Sequence, residues 1–309
     1  MEELKYWVWL ASILSIGSRK KLKLLEHFRN PSRLWKAKKE EMMQVEGIGE
    51  NSAEAILQSK YEREMVRTLE KIQKENIEMI TVKDREYPLK LHQLYDKPIA
   101  LFVKGDKKIL KEFSMAMIGC RKNTIYGEMV ARSLAKRMAQ NAIVTVSGLA
   151  VGIDSFCHLG TLEGKGKTIG VIGSGFDYFY PKENQKLAER MLAEGGCLVS
   201  EYLPDEKPDK LHFVARNRII SGLADGVVVI EAQEKSGTML TVDFALEQGK
   251  TVFAVPGNIN SVCSRGTNEL IKQGAKVLTN WEDIVEEYPL KFLHEKKPFD
   301  IMSKKGRKT

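Results

Sequence analysis

The sequence has few cysteines, no long apolar run and no basic leader. Its four cysteines are scattered over 309 residues and form no Cys-x-x-Cys pair. Such a distribution argues against a structural zinc site and against a disulfide framework, and it fits a reducing compartment. The apolar run from Tyr6 to Leu14 is too short to span a bilayer, and the preceding residues lack the basic start of a signal peptide. We therefore expect a cytoplasmic protein without a membrane partner.

Motifs of nucleotide-dependent enzymes are incomplete. The triplet Gly166-Lys167-Thr168 partly matches a P-loop, but Thr161 stands where the first glycine is required, and the triplet leads into a strand. Gly173-Ser174-Gly175 follows a strand but lacks the third glycine of a dinucleotide fingerprint. Five dispersed histidines give no Ser-His-Asp order; His158 is expected to pack or hydrogen bond, and Asp154 to brace a helix start. We expect no catalysis, no cofactor and no metal.

The composition is that of an ordinary globular protein with a basic balance. Hydrophobic residues make up 43% of the chain and charged residues 29%, with a net charge of +8. This charge favours an anionic partner, although it does not identify one. The length suits one large domain with a smaller companion.

Three segments differ in their patterns. Residues 1–75 have apolar positions at helical spacing, and Val45–Ile56 has the two-glycine turn of a helix-hairpin-helix element, with a weaker copy at Leu14–Ser18. Such a hairpin is equally consistent with a phosphate contact and with compact packing. Residues 76–288 form the second predicted domain. The lysine-rich residues 289–309 are predicted to be a disordered tail.

From Ser114 onward, strands alternate with helices through short connections, which predicts an α/β fold with a doubly wound, mostly parallel sheet. The predicted strands are Met115–Gly119, Ile143–Ser147, Thr168–Gly173, Cys197–Tyr202, Val227–Ala232, Thr251–Val255 and Lys276–Leu278. The predicted helices are Tyr126–Gln140, Ile153–Glu163, Glu183–Glu194, Arg216–Leu223, Leu240–Gln248, Asn268–Gln273 and Trp281–Tyr288.

Glycines, hydroxyls and cations follow the ends of several of these strands. The densest segment is Val144–Asp154, where Gly148 and Gly152 allow a sharp turn and a close approach to a ligand. Each cation alone is equally well explained as an exposed or salt-bridged side chain, but several at one sheet edge favour phosphate. The candidate phosphate- and DNA-binding residues are Gly119, Arg121, Ser147, Gly148, Gly152, Lys182, Arg216, Asn217, Arg218, Ser236, Gly237 and Thr238.

Several motifs together, in the same order over about residues 80–280, resemble the DNA-processing protein A family (DprA, also called Smf). The motifs are Ile118–Gly127, Ser147–Asp154, Tyr180-Pro181, Ser200–Tyr202, His212–Ile220, Ser236-Gly237 and Ala254–Gly257. The helical N-terminal segment resembles the small SAM-like domain of that family.

The resemblance implies an extended Rossmann fold that binds single-stranded DNA, forms a homodimer and loads a RecA-type recombinase in natural transformation, without catalysis. Arg121 and Lys182 match DNA-contacting cations of the family, and Arg216–Arg218 matches an element that lines the same pocket. Two positions depart from the family pattern: Cys120 replaces the usual Ser or Thr, and Val214 replaces a usual proline.

Three hypotheses follow for function. The leading one is a single-strand-binding recombination mediator, with Phe176, Tyr178 and Phe179 as candidate stacking platforms beside the cations. The second is a nucleotide hydrolase of the lysine-decarboxylase-like group, whose Pro-Gly-Gly-x-Gly-Thr signature is missing. The third is a structural nucleoid-type DNA binder. For a homodimer, the apolar residues Ile219, Ile220 and Leu223 are candidates for the interface or, equally, for the core.

Overall fold

The structure, a computed structural model, describes residues 2–292, and helices fill the segment before its sheet. These helices are α1 (Glu2–Ser12), α2 (Ser18–Phe28), α3 (Pro31–Lys36), α4 (Lys39–Met43), α5 (Glu50–Gln58) and α6 (Glu62–Lys74). The turn between α4 and α5 contains Gly47, whose φ of 83° lies in the left-handed region that glycine adopts at little cost. Ala53 and Ile56 are fully buried behind this turn, so the hairpin packs the small domain.

Nine strands form one sheet within the described residues. They are β1 (Glu78–Thr81), β2 (Ala100–Gly105), β3 (Ser114–Ile118), β4 (Val144–Ser147), β5 (Thr168–Ile172), β6 (Cys197–Ser200), β7 (Gly226–Val229), β8 (Thr251–Ala254) and β9 (Lys276–Val277). Their order is β1-β2-β6-β5-β4-β3-β7-β8-β9. The pairs β1–β2 and β2–β6 are antiparallel, and β3 to β9 pair in parallel. The predicted mostly parallel, Rossmann-like α/β class is confirmed.

Helices cover both faces of the sheet, as its almost entirely buried strands require. They are α7 (Leu89–His92), α8 (Ile125–Gln140), α9 (Ile153–Glu163), α10 (Gln185–Ala193), α11 (Lys210–Leu223), α12 (Gly237–Glu247), α13 (Val262–Lys272), α14 (Glu282–Glu287) and α15 (Pro289–Phe292). One apolar cluster between the helices and the sheet contains Val146, Val171, Val227 and the α11 residues Ile219, Ile220 and Leu223. The last three therefore belong to the core of the monomer.

The direction of winding reverses beside β3. From β3 the chain runs outward through β4, β5 and β6, and from β7 it runs outward on the other side through β8 and β9. β3 pairs with both β4 and β7, so the loops after β3 and β7 diverge at their carboxyl ends. Such a switch point opens a crevice where doubly wound sheets bind ligands.

The small helical domain shares a core with the sheet. Val8, Leu69 and Ile72 pack with Ile77 and with Phe102 of β2, which is fully buried. A second contact is the ion pair between Lys71 of α6 and Asp177, in the loop after β5. The helices therefore buttress one end of the sheet and reach a loop at its carboxyl edge.

Two expectations need correction. Helix α11 begins at Lys210, six residues earlier than predicted, because Asp209 caps it by accepting a hydrogen bond from the Leu211 N–H at 2.7 Å. Val214 consequently lies within the helix and not in a loop. At the other end of the chain, Phe292 packs against Phe113 with ring centroids 5.6 Å apart, so residues 289–292 form α15 and not a disordered tail. Residues 293–309 of the predicted tail lie outside the described residues.

Lys21 of α2 is a buried cation, and it makes stability depend on pH. Its Nζ donates to the Ala11 carbonyl at 3.0 Å, and burial lowers its pKa from 10.5 to about 8, opposed by the charge of Glu201. The folded protein thus holds this proton more weakly than the unfolded chain does. Stability therefore rises with pH between the two pKa values.

Replacing Lys21 with Met should remove this rise. Between about pH 7 and pH 10, the wild type should gain about 2 kcal/mol of unfolding free energy relative to Lys21→Met. Denaturant titrations at both pH values measure the difference, with Lys20→Met, at an exposed neighbour, as the control. Parallel pH profiles for wild type and Lys21→Met would contradict the assignment.

Candidate nucleic-acid interface

The loop after β3 presents Arg121 to solvent from a fixed backbone. Glu231, only 1% exposed, accepts hydrogen bonds from the Thr124 Oγ1 at 2.5 Å and the Thr124 N–H at 2.9 Å. The Thr124 hydroxyl in turn caps α8 by accepting from the Gly127 N–H. The Cys120 N–H donates to the Glu231 carbonyl at 2.9 Å. Glu231 therefore holds the loop at its start as well as at Thr124. Arg121 and its neighbour Lys122 are exposed on this loop.

The loop after β4 is held from inside by a buried carboxylate. Asp154 is 7% exposed and accepts hydrogen bonds from the N–H groups of Gly148 at 3.2 Å and Ala150 at 3.4 Å. Burial raises the pKa of Asp154, while the charge of Arg216 and these hydrogen bonds oppose the rise. The expected bracing role of Asp154 agrees with these contacts. The two amides are directed at Asp154 in this conformation, not at a ligand.

Side chains also donate hydrogen bonds to the three carbonyl groups of loop residues 148–150. Arg216 Nη1 donates to the carbonyl of residue 148 at 2.7 Å. Asn184 Nδ2 donates to the carbonyl of residue 149 at 2.8 Å, and Ser155 Oγ donates to that of residue 150 at 2.7 Å. These partners come from α11, from the segment after β5 and from α9. The loop conformation is thus determined by three different elements of the fold.

Arg216, predicted to contact DNA, is an internal residue. It is 5% exposed, and Nη1 also donates to the Val171 carbonyl of β5. Burial lowers its pKa to about 10, an effect that the Asp154 charge opposes. A Cβ on Gly148 would lie 2.9 Å from Arg216 Cζ, so this glycine makes room for a guanidinium group. A signal was present in the sequence, since Arg216 has helical spacing to the core residue Ile219.

Arg218 is likewise internal and joins the two domains. It is 4% exposed and forms ion pairs with Glu201 at 2.7 Å and with Asp96 at 3.2 Å. Ser18, at the start of α2, donates to the same Glu201 carboxylate at 2.9 Å. Asn217, between the two arginines, accepts a hydrogen bond from Arg216 Nε at 3.3 Å. Arg218, predicted to contact DNA, thus has its ion-pair partners within the protein.

The remaining candidate hydroxyls and glycines mostly join loops to one another. Ser147 Oγ donates to the Met117 carbonyl at 2.6 Å, and Thr238 Oγ1 donates to the Gly119 carbonyl at 3.1 Å. Gly152 has a φ of 88°, and a Cβ there would lie 2.8 Å from the backbone carbon of Arg121. A Cβ on Gly119 would lie 2.7 Å from the Ile153 side chain, whereas Gly237 has open space beside it. Ser236 Oγ donates to the Gln233 carbonyl at 3.0 Å.

Lys182 is exposed on the loop after β5, in a segment with exposed aromatic rings. Tyr178 and Tyr180 are 42% and 47% exposed, and Lys207 Nζ lies 5.8 Å from the Tyr178 ring centroid. Phe176 and Phe179, two of the three predicted stacking residues, instead pack against an apolar cluster. Sequence analysis did not include Tyr180 or Lys207 among the candidate site residues, although Tyr180 belongs to the Tyr180-Pro181 motif that resembles the family. The ring of Tyr180 contacts Phe213 at 5.4 Å.

His158 is a core residue. It is fully buried, its Nδ1 lies 2.7 Å from the Thr168 hydroxyl, and burial together with the Arg216 charge lowers its pKa to about 3. It is therefore a neutral packing and hydrogen-bonding residue, as expected. In the part of the chain that the structure describes, no three His, Cys, Asp or Glu side chains are grouped to hold a metal ion. Over residues 2–292, no helix has the length and apolar character needed to cross a membrane.

Replacing Arg216 with Ala should destabilise the protein strongly. The change leaves the buried Asp154 without its neighbouring cation and removes two hydrogen bonds to carbonyl groups. Breaking such a buried charge pair costs about 3–5 kcal/mol. Denaturant unfolding should show this loss, while Arg121→Ala, at an exposed position, should stay within about 0.5 kcal/mol of wild type. Equal stability of the two variants would contradict the structural role of Arg216.

Comparison with known proteins identifies the family of this chain. Residues 78–289 match the family model described as DNA recombination-mediator protein A. The DNA processing protein DprA of Bacillus subtilis is 44% identical over 75% of this chain and 78% of its own length. The Streptococcus pneumoniae DprA is 42% identical over 67% of this chain and 73% of its own length.

Two solved structures are similar to this chain. The crystal structure of the S. pneumoniae DprA superposes with a TM-score of 0.81 at 34% identity, covering 92% of this chain and 97% of the other. The Helicobacter pylori DprA, whose structure was reported for its single-stranded DNA binding mode, gives a TM-score of 0.62 at 32% identity, covering 69% and 97%. The chain described here belongs to the DNA recombination-mediator protein A family, DprA.

Proposed function

We propose that this protein binds single-stranded DNA at the carboxyl edge of its sheet and loads a RecA-type recombinase on the bound strand during natural transformation. The observation that carries the proposal is the pair of exposed cations, Arg121 and Lys182, on loops that follow β3 and β5. Only β4 separates these strands, so their ends lie about 10 Å apart. Membership of a family described as DNA recombination mediators supports the same interpretation.

The chemistry of the edge suits a single strand. Cations on fixed loops can bind phosphates, and the exposed rings of Tyr178 and Tyr180 offer faces on which unpaired bases stack. Lys207, beside Tyr178, adds a further exposed cation. Arg216, Asn217 and Arg218 act in this proposal as supports, because their hydrogen-bond and ion-pair partners lie within the protein.

We further propose that the protein is a cytoplasmic homodimer, acts as a binding protein and not as an enzyme, and needs no cofactor. His158 and Asp154, two groups capable of acid–base chemistry, are buried in structural contacts, as expected from the sequence. Incubation with a nucleoside monophosphate should therefore leave it intact, as chromatography of the products would show. Sustained release of free base, abolished by Arg121 substitution, would favour the hydrolase instead.

Removing one exposed cation should weaken binding because one DNA phosphate is then no longer neutralised. We expect Arg121→Ala and Lys182→Ala each to bind oligonucleotides of all sequences about tenfold more weakly, the scale of one charge-assisted hydrogen bond. The log-log dependence of affinity on salt should become shallower by about 0.7 for each phosphate that the variant leaves unneutralised. Fluorescence anisotropy across a salt series measures both quantities.

Lys272→Ala is a matched control. This exposed lysine ends α13, which begins after β8 and returns to the opposite edge of the sheet before β9. Its affinity and salt slope should equal those of wild type. If Arg121→Ala and Lys182→Ala both fold and keep the wild-type affinity and salt slope, the proposed interface is wrong.

Recombinase loading is a separate step. Displacement of a single-strand-binding protein by a RecA-type recombinase should be faster with the wild-type protein than with Arg121→Ala. Equal loading by the two proteins would overturn the dependence of loading on this edge.

The oligomeric state is tested separately. Light scattering at micromolar concentration should give the mass of a dimer. A monomer would overturn the dimer.

A further inference from the structure

Two cysteines that are distant in sequence meet at the loop that carries Arg121. Cys120 immediately precedes Arg121 after β3, and Cys263 lies in the first turn of α13. Cys263 Sγ lies 3.4 Å from the Lys122 carbonyl oxygen, two residues along the loop from Cys120. The backbones converge too, since Cys120 N–H donates to the Glu231 carbonyl at 2.9 Å and the next residue, Ala232, donates its N–H to the Cys263 carbonyl at 2.7 Å.

The two thiols differ in access. Cys120 is 6% exposed, and burial, followed by the charge of and hydrogen bonding with Cys263, raises its pKa to about 12. Cys263 is half-buried and therefore meets a dissolved oxidant first. The other two cysteines, Cys157 on α9 and Cys197 on β6, are fully buried elsewhere in the fold.

We infer that Cys120 and Cys263 form an oxidation site that closes to a disulfide and lowers the affinity of the neighbouring loop for single-stranded DNA. Hydrogen peroxide is the oxidant. The Cys263 sulfur attacks one peroxide oxygen, the O–O bond breaks, and a sulfenic acid and one water form. The Cys120 sulfur then attacks the Cys263 sulfur, the S–O bond breaks, and the departing hydroxide takes the Cys120 proton as a second water. Two thiols are oxidised and one peroxide is reduced.

A disulfide would disturb the loop because the loop has little freedom on its other sides. The cysteines are free thiols here, and a disulfide bond length of about 2.05 Å requires the two sulfurs to move together. Gly152 packs against the backbone of Arg121 on one side, and Glu231 holds Thr124 on the other. The approach of the sulfurs therefore displaces the backbone of residues 120–122, which carries Arg121, against these two contacts. Disulfides in reducing compartments are mostly transient and redox-sensing, which fits a reversible effect on binding.

The consequence for DNA rests on the proposed function, whereas the disulfide itself does not. The test treats the full-length reduced protein with hydrogen peroxide, followed by non-reducing digestion and mass spectrometry. We expect one cross-link, between the peptides of Cys120 and Cys263. Single-stranded DNA affinity should fall about tenfold, the scale of one charge-assisted hydrogen bond, and return with dithiothreitol.

Cys263→Ser separates oxidation from general damage. This variant should give no cross-link, keep the wild-type affinity when reduced and keep it after peroxide. Cys120→Ser, which places a hydroxyl at this position, should also give no cross-link. Absence of the Cys120–Cys263 cross-link in wild type, or its presence with unchanged affinity, would overturn the inference. If the reduced protein binds no DNA, the proposed function fails, and the cross-link map still decides whether the thiols form an oxidation site.

Discussion

The carboxyl edge of the sheet depends on one buried guanidinium group. Arg216 lies behind Gly148, donates to carbonyls of the loop after β4 and of β5, and faces the buried carboxylate of Asp154. Its charge is tolerated there because it has both an anionic neighbour and backbone acceptors. In turn it fixes a loop that packs, through Gly152, against the loop of Arg121. The position of the exposed cation therefore depends on the buried one.

Helix α11 connects this support to the small domain. Arg216 faces the loop after β4, and Arg218, two residues later, pairs with Glu201, which also accepts a hydrogen bond from Ser18 of α2. The ion pair of Lys71 with Asp177 makes a second connection, close to the exposed rings after β5. Through these interactions the N-terminal helices contact the carboxyl edge, whereas the exposed cations Arg121 and Lys182 come from loops of the sheet.

The sequence predicted the architecture well because strand–helix alternation depends on local patterns. It also predicted which loops meet, since the carboxyl ends of parallel strands share an edge. It did not separate Arg216 and Arg218 from Arg121, because residue type alone does not distinguish a cation that binds phosphate from one that satisfies buried acceptors. The start of α11 at Lys210 makes this distinction, as it places Arg216 on the core face of the helix. Likewise, no local pattern relates Cys263 to Cys120, which only the packing of α13 brings together.

We proposed that the exposed loops bind DNA and that the internally bonded loops support them. Amide hydrogen exchange, with and without a single-stranded oligonucleotide, tests this division most directly. The amides of Gly148 and Ala150 already donate to Asp154, so they should exchange slowly in the free protein and change little on binding. Segments 121–123 and 180–182, which carry Arg121 and Lys182, should gain protection when DNA is added. Fast exchange at Gly148 and Ala150 that slows only with DNA, with no change around Arg121 and Lys182, would contradict this division.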